Sequence, residues 1–215
     1  MIKGIIFDLD GVLCSTDEYH YQAWKKLADR LGIYFDRKIN DRLRGVSRMA
    51  SLDIVLERSD VSYSDEEKLA LATEKNETYR GLLSNMSPAD LSDEVKDTLD
   101  ELRRRGYLMS LGSSSKNSKY ILERIGLAGY FDAISDGTNI TRSKPDPEVF
   151  LKAAEFIGLI PEECLVVEDA VAGIQAAKAG NMAAAGIGEA SAYELTDYPL
   201  STFSDLLKIL ILLTD

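Results

Sequence analysis

Phe7-Asp8-Leu9-Asp10-Gly11 follows Met1 to Ile6, a short apolar run that reads as a buried strand. Side chains two apart on a strand point to one side, so Asp8 and Asp10 are expected to leave the strand end together, with Gly11 letting the chain turn. Two neighbouring carboxylates repel unless something neutralises them. A hard cation such as Mg²⁺ does so through oxygen ligands, and a pair split into one ionised and one protonated member is the other solution. Either arrangement suits phosphoryl transfer, with one Asp as nucleophile and the other as acid and base. A strand running into an acidic turn is the plain alternative.

Working outward, the chain resolves into two textures. Ser15-Thr16-Asp17-Glu18 has capping-box spacing, and Ala23, Trp24, Leu27, Ala28 and Leu31 recur with helical period up to Gly32. Helical patterning continues in pieces to about Leu83. Ser92 opens another helix, with Val95, Leu99 and Leu102 on one face and Gly106 as its stop. From there strands and helices alternate: a strand at Leu108 to Leu111, a helix from Asn117 to Ile125, and a short strand at Ala133-Ile134. A helix from Pro145 to Ile157, a strand at Leu165 to Val167, a helix from Ala170 to Ala179 and an Ala-rich strand from Met182 to Ile187 follow. Bulkier residues would pack better in that last strand. Leu206 to Leu213 reads as a helix docked on the core. The alternation predicts an α/β fold, a Rossmann-like parallel sheet with helices on both faces. The all-helical stretch interrupting it predicts an inserted α-helical subdomain. The expected division is residues 1–15 and 88–215 for the core and 16–87 for the helical insertion, with hinges near Ser15 and Pro88.

Composition narrows the function. The 215 residues are 45% hydrophobic, enough for one sizeable core or a core with a smaller appendage. Lys plus Arg number 25 against 36 Asp plus Glu, a net charge of −11 that disfavours nucleic acid and anionic membrane as partners. A phosphorylated substrate must then find a local cluster of cations. Cys14 and Cys164 offer no disulfide framework, which fits a reducing compartment. With acidic residues where a signal peptide would be apolar, the expected place of work is the cytoplasm. No stretch is long and apolar enough to span a bilayer.

Ligands of open parallel sheets bind at the carboxyl ends of strands. Four regions expected there carry suitable groups: Asp8 with Asp10; Leu111 to Asn117, whose Ser113, Ser114, Ser115, Lys116 and Asn117 could cradle a phosphate at a helix start; Ser143-Lys144-Pro145; and Glu168-Asp169. Each also has an ordinary explanation in helix capping, proline helix starts or the helix dipole. His20, the only histidine, could be a satisfied buried imidazole. Arg48, near Arg42 and Arg44, could belong to a solvated basic face. Cys14 reads as a small buried filler.

The set Asp8-x-Asp10, Ser113, Lys144 and Glu168-Asp169 resembles the four motifs of the haloacid dehalogenase superfamily of phosphotransferases, and the helical insertion resembles that superfamily's cap. Asp8-Leu9-Asp10-Gly11-Val12, Glu18-Tyr19-His20, Gly45-Val46-Ser47-Arg48, Lys75-Asn76, Ser87-Pro88-Ala89-Asp90 and Ser115-Lys116-Asn117 are similar to the β-phosphoglucomutase family within it. The resemblance implies interconversion of β-D-glucose 1-phosphate and glucose 6-phosphate through β-glucose 1,6-bisphosphate. It implies Asp8 as nucleophile and Asp10 as acid and base. Mg²⁺ would be held by Asp8, the Asp10 carbonyl and Asp169, with Glu168 in support. Ser113 and the Ser114 backbone would bond the transferring phosphoryl group, and Lys144 would balance its charge. Arg48, Ser115, Lys116 and Asn117 would grip the second phosphate, and Thr16, His20, Gly45 and Lys75 would act from the cap. The implied partner is a small phosphorylated sugar, acted on by a monomer. A phosphatase using the same two aspartates is the alternative. A signalling receiver domain would need a central-strand Asp, and none follows Leu108 to Leu111.

Overall fold

The computed structural model describes residues 1–43 and 46–213. The elements run β1 (Gly4–Phe7), α1 (Asp17–Arg30), α2 (Arg37–Asp41), α3 (Arg48–Leu56), α4 (Asp65–Leu83), α5 (Asp93–Arg104), β2 (Leu108–Gly112), α6 (Ser118–Arg124), β3 (Ala133–Ser135), α7 (Glu148–Phe156), β4 (Cys164–Glu168), α8 (Val171–Ala179), β5 (Ala183–Gly186), β6 (Tyr198–Pro199) and α9 (Leu206–Leu212). The chain divides into two compact units, Met1–Ser15 with Ser87–Asp215, and Thr16–Met86.

The first unit is the expected α/β sheet. Its strands lie in the order β3-β2-β1-β4-β5-β6, every pair parallel. The chain builds outward from β1 through β2 to β3, then returns to place β4 on the other side of β1. Such a reversal opens a crevice at the carboxyl ends of the two central strands. β1 is buried throughout because both sheet faces are covered. Ile6 joins Val149, Phe150, Ala153, Val166 and Ile174 on the α7–α8 face. Phe7 points the other way, its ring 6.0 Å from Phe131 and 5.9 Å from Phe203. Each such fully buried side chain contributes about 1.5–3 kcal/mol of transfer free energy.

Ser110 Oγ breaks this apolar pattern. The residue is fully buried in β2, beside Ile6, and its hydroxyl has no hydrogen-bond partner. Burying an unpaired hydroxyl costs free energy that an apolar replacement does not. Ser110→Ala is expected to raise stability by about 1 kcal/mol in urea unfolding at unchanged m-value; a loss of stability would mean the hydroxyl has a bound partner.

Three local expectations are corrected. α1 begins after Thr16, not Ser15, and no capping box forms. The Thr16 hydroxyl instead accepts a hydrogen bond from Tyr79 Oη at 2.9 Å, and Glu18 is drawn to Arg37 Nη1, also at 2.9 Å. α7 begins at Glu148, because the residue before a proline is disfavoured in helix, which excludes Asp146 ahead of Pro147. The small residues of β5 have a positive reason. A Cβ on Gly186 would lie 2.5 Å from the Ala190 carbonyl, since the short helical turn Gly188–Ala192 packs its backbone against the strand. β6, paired to β5, is an addition that two residues of sequence could not announce.

The helical unit has its own core of Trp24, Leu27, Ala28, Ile33, Phe35, Leu52, Val55 and Leu71. Its longest helix, α4, starts with a full capping box between Ser64 and Glu67. No helix among the described residues is long and apolar enough to cross a membrane.

Candidate active site

β1 ends at Phe7, so strand alternation carries Asp8 to the crevice but does not place Asp10. A tight turn does that: the Asp8 N–H continues the ladder to the Val167 carbonyl at 3.0 Å, and the Gly11 N–H bonds the Cys14 carbonyl at 2.8 Å. Gly11 has φ +82°, and a Cβ there would sit 2.0 Å from Asp169 Oδ2. The glycine therefore makes the turn and also makes room for the carboxylate of β4's end.

Asp8, Glu168 and Asp169 each bring a carboxylate oxygen within 4.8 Å of the others. Lys144 reaches them from the loop between β3 and α7 rather than from a strand end. Its Nζ donates to Asp8 Oδ1 and Glu168 Oε1, both at 2.5 Å, with the side chain 4% exposed. The second Glu168 oxygen accepts the Ala170 N–H at 2.8 Å. Gly173 was not singled out in the sequence, yet a Cβ there would lie 2.0 Å from Glu168 Oε1. Its signal was present: a glycine inside a helix just after a strand carries a propensity cost of about 1 kcal/mol, which calls for a packing reason.

Three carboxyl groups share one ammonium in a buried site. Burial pushes Asp8 up to about 7, with Lys144 opposing and Glu168 and Asp10 adding to the rise. Burial, then the charges of Glu168 and Asp8, push Asp169 up to about 8. Burial works against the Lys144 charge, but Asp8 and Glu168 outweigh it and hold the ammonium above its ordinary range. The cluster is thus short of positive charge and rich in hard oxygen donors, which fits a divalent cation.

That shortage has a stability signature. Asp8 and Asp169 keep protons in the folded, metal-free protein at pH values where the unfolded chain, near 3.8, has lost them. The native state then binds more protons, so stability falls as pH rises from about 4 to about 8. Chelator-treated protein should melt lower at about pH 8 than at about pH 5.5, and a saturating divalent cation should shrink the difference. A melting temperature indifferent to both pH and cation would contradict this account.

The loop after β2 presents hydroxyls. Ser113 N–H bonds the Ser135 carbonyl at 3.0 Å, Ser113 Oγ accepts from the Ser115 N–H at 3.2 Å, and Ser115 Oγ accepts from the Asn117 N–H at 3.1 Å. Ser114 Oγ is buried without a partner. Lys116 is exposed and Asn117 buried at the start of α6.

In the helical unit, His20 stacks on Tyr79 with centroids 4.0 Å apart, and its Nδ1 lies 2.9 Å from Lys75 Nζ. Burial, then the charges of Lys75 and Arg48, hold His20 well below its ordinary value. The neutral ring accepts the lysine's hydrogen bond. Lys75 also sits 4.6 Å over both the Trp24 and Tyr79 rings, a cation–π arrangement. Arg48 is the first residue of α3 and half-buried, which lowers its pKa. Gly45 lies outside the described residues.

The haloacid dehalogenase-like hydrolase family profile matches residues 2–181. β-Phosphoglucomutase of Bacillus subtilis is 40% identical over 207 residues, 95% of this chain and 92% of that protein. Fructose-1-phosphate phosphatase YqaB of Escherichia coli is 34% identical over 185 residues, 86% and 95% of the two. The crystal structure of β-phosphoglucomutase from Clostridium difficile superposes with a TM-score of 0.91 at 37% identity, covering 99% of this chain and 96% of that one.

Proposed function

The chain belongs to the haloacid dehalogenase-like hydrolase family, and from that premise we propose that it is a phosphosugar mutase interconverting β-D-glucose 1-phosphate and glucose 6-phosphate. Asp8 attacks the phosphorus of a bound phosphate ester; an aspartyl phosphate forms as the P–O bond to the sugar breaks. Asp10 protonates the departing sugar oxygen. In the other half-reaction Asp10 takes the proton from the 6-hydroxyl of β-glucose 1-phosphate as that oxygen attacks the aspartyl phosphorus and the bond from phosphorus to Asp8 breaks, giving β-glucose 1,6-bisphosphate; the bisphosphate then returns its 1-phosphate to Asp8 and leaves glucose 6-phosphate. Asp8, the Asp10 carbonyl and Asp169 would hold Mg²⁺, with Glu168 in support. When bound, the ion supplies neutralisation between the Asp8 carboxylate and an anionic phosphate. Lys144 balances charge beside Asp8, and Ser113 with the Ser114 backbone bonds the transferring oxygens. Ser115, Lys116, Asn117 and Arg48 take the second phosphate. Thr16, His20, Gly45 and Lys75 act on the sugar from the helical unit, as a cap, and the cytoplasm is the proposed place of work.

The observation that carries this reading is the 40% identity to the Bacillus subtilis mutase across 95% of the chain. A second reading, a phosphatase on a sugar phosphate, has support from the Escherichia coli fructose-1-phosphate phosphatase. Water and a sugar hydroxyl can discharge the same aspartyl phosphate, so the core does not separate the two. Incubation with β-glucose 1-phosphate, Mg²⁺ and a trace of bisphosphate decides: glucose 6-phosphate is expected, and free phosphate alone would overturn the mutase.

Arg48 divides the readings further. A bisphosphate that binds in two orientations needs cations for the end that is not reacting. Arg48→Ala removes a charge-assisted grip available to a second phosphate, and mutase turnover should fall by about 100-fold, the scale of ~3 kcal/mol for such a contact. Acetyl phosphate has no second phosphate, so its hydrolysis should change far less. An equal fall in both would indicate a general defect instead.

A further inference from the structure

The segment following β3 packs its backbone against the Ser113–Lys116 loop. The Ser113 N–H bonds the Ser135 carbonyl at 3.0 Å, and the Gly137 N–H bonds the Ser115 carbonyl at 3.1 Å. Gly137 has an ordinary backbone conformation, so no torsional need calls for glycine there. The need is space. A Cβ at 137 would lie 2.4 Å from the Ser114 carbonyl oxygen and 2.9 Å from both the Lys116 N and the Lys116 Cγ. Two of these three atoms are backbone, so a methyl group cannot be absorbed by a side-chain rotation; the peptide after Ser114 or the Lys116 amide must move.

The turn that carries Gly137 is fixed in turn. Asp136 is buried, and its Oδ1 accepts from the Thr138 N–H at 2.8 Å and from Thr138 Oγ1 at 2.5 Å. Asn139 Oδ1 accepts from the Asp136 N–H at 3.1 Å and from Ser135 Oγ at 3.3 Å, while Asn139 Nδ2 donates to the Ile134 carbonyl at 3.3 Å. This is a rigid back-stop, and at Gly137 it meets the loop through a backbone N–H and a bare Cα.

We propose that Gly137 is a positioning residue: its missing side chain lets the Asp136–Asn139 turn seat the Ser114–Lys116 backbone where that loop takes a phosphate. The inference rests on the reading of the loop as a phosphate cradle. Displacing its Ser115–Lys116 side, which takes the phosphate that is not transferred, weakens a grip made equally on the ground state and the transition state, which raises KM more than it lowers kcat.

The test measures KM and kcat for β-glucose 1-phosphate, the inhibition constant of inorganic phosphate, and the melting temperature. Gly137→Ala should raise KM and the phosphate inhibition constant about tenfold, with kcat within about threefold and melting within a few degrees of wild type. Gly81→Ala, a glycine in α4 with nothing within 4 Å of the added Cβ, is the control and should leave KM, kcat and the inhibition constant unchanged while melting no lower than wild type. Thr138→Val removes the hydroxyl bond to Asp136 without placing an atom on the loop, and should move KM the same way by about threefold; it stands in should Gly137→Ala fail to fold. An active wild type beside variants with unchanged KM and inhibition constant would overturn the role of Gly137 alone. A fall in kcat and melting temperature with KM unmoved would make it a merely structural glycine. A wild type that neither transfers phosphoryl groups nor binds phosphate would overturn the cradle reading, and this inference with it.

Discussion

Asp8→Asn is expected to lower turnover by about 10⁴-fold or more, the scale that follows deletion of a covalent nucleophile. An amide cannot form the acyl phosphate. The substitution should not unfold the protein. It removes one of three carboxyl groups crowded around a single ammonium, and Lys144 keeps its contact with Glu168. Metal-free Asp8→Asn should therefore lose less stability than wild type as pH rises, because one of the two raised carboxyls is gone. The pair of measurements is steady-state turnover and melting at about pH 5.5 and 8. Near-normal turnover from the folded variant would remove Asp8 from the centre of this chemistry.

Lys144→Met is the opposite case and should be the largest stability loss among single changes in the site. Methionine keeps an unbranched apolar stem but leaves Asp8, Glu168 and Asp169 facing one another without their buried cation. Removing one partner of a buried ion pair costs about 3–5 kcal/mol, and here one ammonium serves two carboxylates. At lower pH the carboxyls can take protons instead, so urea unfolding should show the deficit near pH 8 shrinking towards pH 5.5. Turnover should fall as well, since the phosphoryl group would enter a site with its charge unopposed. A deficit that does not depend on pH would mean Lys144 acts by packing, for which its position 4.7 Å from the Phe150 ring is the available contact.

What could be read beforehand divides by the range of the interaction that carries it. Asp8 and Asp10 announce themselves because a strand and its turn are local. Ser92, Val95, Leu99, Leu102 and Gly106 specify α5 by spacing alone, and the helix found there has Ser92 as its cap and those three residues buried. The sheet follows from alternation of elements, whereas the order of its strands is read only from the structure. Lys144 is different. Nothing in its neighbourhood shows that a loop residue will reach two carboxylates far away in sequence; only its companions made it a candidate. The missed features are steric or tertiary. Gly173 and Gly137 matter for atoms that are not their neighbours in sequence. Thr16 displaces Ser15 as the cap of α1 because Tyr79, a residue of α4, bonds it. β6 is two residues long and has no period to detect.

The pairing of β1 with β4 fixes when the site can exist. Asp8 is made at the beginning of the chain, while Glu168 and Asp169 arrive after Cys164 has begun the neighbouring strand. In between lies the whole helical unit, whose contacts are local and whose helices can form early. β1 must meanwhile keep Ile5, Ile6 and Phe7 without their eventual neighbours, and closing so long a loop is entropically uphill until the sheet rewards it. Helical signal on refolding can therefore appear before the sheet is complete, whereas recovered catalysis reports closure of the most distant strand pair. The enzyme's activity is in this sense a clock on its own assembly: no partly made or partly folded chain lacking β4 can transfer a phosphoryl group, however complete its helices look.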